Sequence, residues 1–287
     1  MSVSAWEQHA AWDASAESYA QGAGTSGGSL FQPSVDLMTD WLKFETKGRP
    51  FVLLDVASGP GEPGIHFAHT FPEAHFVLSD FSSEMCKIAE GRVKDADLSS
   101  HISVKVVDAQ DMSCFANDTF DAVTSAYGIF MIPDPGKALR EIFRVLKPGG
   151  CFGFTVWGPI DRMHFQRFML RVCQALFPPT TPVAPPVDLP KWTDRQLPIH
   201  ALEDAGFCQA ALQVVDIPME FSSWQIFERF ALDNPACAGL FAKASASKRQ
   251  EASGVMLSMA MAEGIFTGSG PVSVKDNEAH FYTAVKK

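Results

Sequence analysis

The stretch "LLDVASGPGEPG" (residues 53–64) sets an acid, Asp55, ahead of three glycines, Gly59, Gly61 and Gly64. Glycines so spaced let a backbone turn sharply and come close to a ligand. Read by its letters alone, the stretch holds G-x-G-x-x-G, the fingerprint of a loop that carries a dinucleotide pyrophosphate at a helix N-terminus. Two acids speak against that ligand. Asp55 ends the preceding apolar run and Glu62 opens the next helix, and both would repel a pyrophosphate. Two further carboxylates follow apolar runs in the same way: Asp80 after "HFVLS", 21 residues past Gly59, and Asp108 after "ISVKVV". A carboxylate offers two acceptor oxygens, which suits a vicinal diol such as that of a ribose.

The elements that must hold these residues are legible as a rhythm. "FVLLDVA", "HFVLSD", "ISVKVVD", "FDAVTSAYG" and "CFGFTVW" read as strands. "EPGIHFAHTF", "SSEMCKIAEGRV" and "PGKALREIFRVLKPGG" read as helices between them. Ser82 is placed to cap the second of these helices. In the third, Ala138, Leu139, Ile142, Phe143 and Leu146 are expected inward, and Lys147-Pro148-Gly149-Gly150 is expected to stop it. Strand and helix in alternation predict an α/β, doubly wound, mostly parallel sheet covered on both faces. Ligands of such sheets sit beyond the carboxyl ends of the strands, where the strand order reverses. That rule selects the ends at residues 56, 80, 108 and 126.

Before this core, residues 4–20 and 33–44 read as helices joined by a glycine-rich loop. After Trp157, residues 161–177 form an amphipathic, aromatic-rich helix, and 178–190 are proline-rich, unfit for a regular helix or a central strand. A helix restarts near Thr193, a candidate cap, and ends at Gly206. Residues 208–217 and 279–286 read as two further strands. The expected organisation is a single domain, 1–287. It has N-terminal helices over 1–48, a cofactor-binding core over 49–157 and an insertion or lid over 158–192. C-terminal strands follow over 193–287, with a helical cap at 222–264.

D-x-A-x-G-x-G at 55–61 resembles motif I of the class I S-adenosylmethionine-dependent methyltransferases, with Ala57 where that family usually has glycine. "SDFSSEMCKIA" resembles the family's ribose-binding segment, "VVDAQDMS" its adenine-binding segment, and residues 117–157, with R-V-L-K-P-G-G, its fourth strand, helix and fifth strand. The resemblance covers roughly residues 50–157 and implies a Rossmann-like, seven-stranded fold. It implies S-adenosylmethionine as cofactor, held by Asp55, Ala57, Ser58, Gly59, Gly61, Asp80, Phe81, Asp108, Ala109 and Tyr127. In that scheme Asp80 takes the ribose hydroxyls, Asp108 the adenine amino group, and the Ala109 N–H a ring nitrogen. The donor carries a sulfonium, an ammonium and one carboxylate but no phosphate, so acidic strand ends suit it.

Methyl transfer from a sulfonium is an in-line displacement that needs a base only if the acceptor must lose a proton. His164, just past the fifth strand, and Tyr127, at the end of the fourth, are the catalytic candidates. Tyr19, Trp157 and His164 are the candidate acceptor contacts. The other histidines read as surface or packing residues. Singly, each glycine or acid fits a turn, a cap or a solvated loop equally well; their order and spacing favour the joint reading. The 23 phenylalanines, many after residue 150, read mostly as core, yet as a population they lean the acceptor towards a small apolar or aromatic molecule.

A formal net charge of −10 argues against a nucleic-acid partner. No run approaches the ~20 apolar residues of a membrane span. The N-terminus has neither signal-peptide nor transit-peptide character, which predicts a cytoplasmic protein. Six scattered cysteines give no disulfide framework and no zinc spacing. Two other readings stay open: an NAD(P)-dependent oxidoreductase using the literal G-x-G-x-x-G, and a cofactor-binding module without turnover.

Overall fold

The computed structural model describes residues 5–23, 32–177, 192–233, 241 and 244–287. The apolar runs form strands β1 (Val52–Val56), β2 (His75–Asp80), β3 (Ile102–Val106), β4 (Phe120–Ala126) and β5 (Leu146–Trp157). Two later strands, β6 (Cys208–Asp216) and β9 (Glu278–Val285), join the same sheet, whose order is β3-β2-β1-β4-β5-β9-β6. β1 to β5 run parallel, and β9 is antiparallel to both β5 and β6. The order reverses between β1 and β4, which is where the glycine-rich turn leaves β1.

Both faces of the sheet are covered. That is why β1 reads as continuous hydrophobic sequence: Leu53, Leu54 and Val56 are all buried. Helices α3 (Gly64–Thr70), α4 (Ser83–Asp95) and α5 (Pro135–Val145) make the crossovers. Ser82 caps α4 as expected, its hydroxyl accepting from the Met85 N–H. Helix α2 (Gln32–Thr46) buries Val35, Met38 and Leu42, and its Trp41 ring packs edge-on against Phe281 of β9. Gly153 makes room for that ring, since a Cβ there would lie 2.6 Å from Trp41 Cζ3.

Helix α1 (Ala5–Ala23) lies against α4 and against α8 (Trp224–Asp233). Helix α6 (His164–Leu176) packs on α9 (Ala246–Ala262), and α7 (Leu197–Asp204) leads into β6. Phe165, Phe168, Phe221, Phe227 and Phe230 are buried together between these cap elements.

Several local expectations are corrected. Helix α5 ends at Val145, and Lys147-Pro148-Gly149-Gly150 lies inside β5, where the register shifts between the pairs Phe120↔Leu146 and Ala122↔Cys151. Leu146 is therefore buried from the strand, and Phe143 is only half-buried, its ring against Phe207. Thr193 does not cap α7; the cap position is Gln196, with no side-chain hydrogen bond. Gly206 does follow the helix, at φ +101°. The sequence reading missed a two-stranded sheet of β7 (Met219–Phe221) and β8 (Val272–Val274). Of the glycine-rich loop expected at 20–29, residues 20–23 belong to α1 and 24–29 fall outside the described residues, as does the proline-rich segment at 178–190. No described helix is long and apolar enough to cross a membrane.

Candidate cofactor and active site

The carboxyl ends of β1 to β4 open into one cavity. The glycine turn contributes Ala57 and Gly59, β2 contributes Asp80 and Phe81, and the loop after β3 contributes Asp108, Ala109 and Gln110. Tyr127 and Gly128 come from the end of β4, and Trp12 and Tyr19 come from α1 above. Of the sequence candidates, Ala57, Gly59, Asp80, Phe81, Asp108, Ala109, Tyr127 and Tyr19 thus meet in one place.

Asp80 is the most constrained of them. It is buried, and each carboxylate oxygen takes one backbone N–H at 2.9 Å, Oδ1 from Ser82 and Oδ2 from Gly59. Each oxygen keeps a further lone pair for a ligand. Burial pushes its pKa up to about 6, against the pull of the two backbone N–H groups. Asp108 is exposed and holds its own loop, accepting from the Gln110 backbone N–H at 2.8 Å.

Ala57 sits at φ +54°, in the left-handed region, at the position where the family that motif I resembles usually has glycine. Its methyl group is accommodated by Gly128, where a Cβ would lie 2.5 Å from Ala57 Cβ. Tyr127 also has a positive φ, +55°, and is fixed on every side. Its hydroxyl is 2.7 Å from Ser34 Oγ, its N–H donates to Thr155, and its ring stacks on Trp157 with centroids 4.1 Å apart. Burial raises the Tyr127 phenol well above its ordinary value, so it keeps its proton at neutral pH.

Other candidates lie elsewhere. Asp55 is wholly buried beside the turn, accepts from Thr124 Oγ1 at 2.7 Å and does not line the cavity. Burial pushes its pKa up to about 7, so near neutrality it is only about half ionised. Glu62 is paired with Arg92 at 3.3 Å, and that guanidinium also holds the Pro60 carbonyl. Neither acid therefore carries the electrostatic argument made from the sequence; Asp80 and Asp108 do. Ser58 and Gly61 shape the turn without lining the cavity, and Trp157, also outside the lining, stacks behind Tyr127. His164 opens α6 away from the cavity, its Nε2 3.3 Å from Glu263 Oε2, a carboxylate that Arg171 also binds. The described phenylalanines of the cap are packing residues and do not line the cavity; Phe81, after β2, does.

Sequence reasoning missed Trp12, Met85, Gln110, Gly128, Met131 and Ile132 among the lining residues. Only Gln110 and Gly128 carried a signal, as immediate neighbours of Asp108–Ala109 and Tyr127.

The residues fit an S-adenosyl donor on two observations. Among the described residues, no lysine, arginine or histidine lines the cavity, which leaves a pyrophosphate without a side-chain counter-charge, whereas two carboxylates face a cationic nucleoside. Gly59 leaves bare backbone beside the Asp80 carboxylate.

Comparison with known proteins agrees over the same segment. Residues 53–150 match the model of a methyltransferase domain family. Curated relatives include the ubiquinone/menaquinone biosynthesis C-methyltransferase UbiE of Geotalea daltonii, 36% identical over 38% of this chain and 45% of the relative. The demethylmenaquinone methyltransferase of Bacteroides fragilis is 38% identical over 39% and 44%. The chain spans about half the length of the curated relatives it matches. Among solved structures, the 4+2 cyclase SpnF superposes with a TM-score of 0.60 and 19% identity over 99% of this chain and 97% of that one. A Haemonchus contortus phosphoethanolamine N-methyltransferase in complex with S-adenosyl-L-methionine gives 0.56 and 21% over 96% and 57%. The match to a methyltransferase domain thus falls on residues 53–150, the strands and turns that build the cavity.

Proposed function

We propose that the protein is an S-adenosylmethionine-dependent methyltransferase acting on a small, uncharged, largely apolar acceptor. The observation that carries this is Asp80: a buried carboxylate at the end of β2, aimed by the Gly59 and Ser82 N–H groups, with a lone pair free on each oxygen. It would take the two ribose hydroxyls. Asp108 and the Ala109 N–H would receive the adenine edge. Ala57 and Gly59 would face the amino-acid end, under the rings of Tyr19 and Tyr127. Bound there, the donor supplies an electrophilic methyl group. The chain's own contribution is to position the acceptor and exclude water, with α1 as cover. Tyr127 contributes a fixed ring wall and not a base, because its hydroxyl proton is held.

Relatives named as C-methyltransferases of ubiquinone and menaquinone biosynthesis favour a neutral, electron-rich ring methylated at carbon. The lining agrees, with Trp12, Met85, Met131 and Ile132 beside the aromatic rings and no cationic side chain among the described residues for an anionic acceptor. The fold is also that of a protein titled a cyclase, so donor binding and turnover must be measured separately.

Calorimetry with S-adenosylhomocysteine and with NAD tests the donor. Micromolar binding of the first and none of the second is expected; the reverse overturns the proposal. Asp80→Ala should weaken S-adenosylhomocysteine binding by about 1–3 kcal/mol. Unchanged affinity would remove Asp80 from the ribose site.

A further inference from the structure

Gln110 ties two loops together at the Asp108 end of the cavity. Its Nε2 lies 3.1 and 3.2 Å from the two carboxylate oxygens of Asp108. Its Oε1 accepts from the backbone N–H of Asp134 at 3.1 Å, and Asp134 is the cap of α5. Gln110 and Asp108 both line the cavity.

A carboxamide NH2 and the exocyclic amine of adenine are the same kind of donor. Both are planar nitrogens conjugated to an sp² carbon, with two hydrogens in the plane. Placed almost evenly between the two Asp108 oxygens, the Gln110 amide takes one lone pair on each; with the backbone N–H on Oδ1, a single lone pair, on Oδ2, stays open to an adenine amine. We infer that Gln110 is a built-in competitor for the donor's adenine. Its carboxamide covers part of Asp108 and gives way when the nucleoside binds. This rests on the donor-site reading above, specifically on adenine meeting Asp108. The Gln110 backbone N–H, which also donates to Asp108 Oδ1, stays in place and keeps the carboxylate aimed while the side chain leaves.

The competitor can swing out without unfolding its surroundings. Its two partners are exposed, and the carboxamide lies at the end of a flexible side chain. It would set a threshold against weakly held adenine compounds, since each gains the full Asp108 contact only by displacing it.

The test is a double-mutant cycle read by calorimetry with S-adenosylhomocysteine on the full chain: wild type, Gln110→Ala, Asp108→Ala and the double variant. Gln110→Ala is expected to bind about threefold tighter than wild type, the size of a modest exposed hydrogen bond no longer broken on binding. Asp108→Ala is expected to bind more weakly, and adding Gln110→Ala to it should change nothing. A merely structural bridge would lower affinity in both backgrounds. Equal or weaker binding by Gln110→Ala overturns the inference, as does an Asp108→Ala variant with wild-type affinity. Wild-type protein that binds no S-adenosylhomocysteine at all fails at the donor site itself, a different result from either.

Discussion

Ala57 and Gly128 form a matched pair, visible only when both backbones are known. An L residue with a Cβ in the left-handed region costs roughly 1–2 kcal/mol. Ala57 bears that cost at φ +54°, and Gly128 leaves the space its methyl group needs. Ala57→Gly should therefore raise stability by about 1 kcal/mol, read as a higher thermal midpoint. Gly128→Ala should destabilise the wild type more than it destabilises Ala57→Gly; equal costs in both backgrounds would mean the two residues do not share this space. Asp55 and Asp80 set a second residue-scale expectation. Their pKa values are raised by burial to about 7 and about 6, above the ordinary value of 3.8. The folded protein thus holds protons that the unfolded chain has released. The stability these groups contribute is full below about pH 4 and is lost as pH rises through 6 to 7. The empty protein's midpoint should fall between pH 5 and pH 8, and Asp55→Asn should flatten the upper part of that fall. A midpoint that rises across this range in the wild type, with no change in Asp55→Asn, would contradict the assignment. Affinity for S-adenosylhomocysteine should move the other way, rising with pH up to about 6 as Asp80 ionises to accept the ribose hydroxyls.

Among the elements, α1 matters most to the site, and what holds it is polar. Asp13 accepts from Ser82 Oγ at 2.5 Å and from the Glu84 N–H at 3.3 Å, at the N-terminus of α4, and pairs with His9 at 3.0 Å. Ser82 is the same residue whose N–H aims Asp80. The cover over the cavity and the carboxylate on its floor thus share one serine. Asp13→Ala should cost about 1–2 kcal/mol of docking. It should also speed hydrogen exchange in residues 5–23 and S-adenosylhomocysteine release, while exchange in β1 and β4 stays slow. Unaltered exchange in α1 would show that Phe230 and the other apolar contacts hold it alone. Little of this was legible in the sequence. The strands of the core were, because two-sided burial leaves unbroken apolar runs such as "FVLLDVA" and β-ends such as Asp80 stand out against them. The pairing of Asp13 with a residue 69 positions away leaves no local pattern. Three-residue strands such as β7 and β8 are too short to show a period. The direction of Asp55 was equally hidden: an acid at a strand end reads the same whether it faces a ligand or turns under the loop to Thr124.

At the scale of the whole molecule, the strands that build the cavity and the strands that follow them are one sheet. β9 returns from the far end of the chain to lie between β5 and β6, and Lys286, just past it, binds Asp118 and the carbonyls of Arg144 and Leu146. The cap core connects in turn to α1 through the Tyr19 and Phe230 rings, 6.2 Å apart. A ligand seated on Asp80 and under Tyr19 should therefore be felt by the sheet and the cap together. A ligand that binds only the folded state at a hundred times its Kd adds about 2.7 kcal/mol to stability. For a chain of this size unfolding as one unit, that is a rise of about 5–10 °C in the thermal midpoint. S-adenosylhomocysteine should give that rise in a single transition, and NAD should give none. Two transitions, with only the earlier or the later one moving, would show that the cap and the sheet unfold separately. In that case Tyr19 and α1 would be a cover laid on the donor site and not part of its foundation.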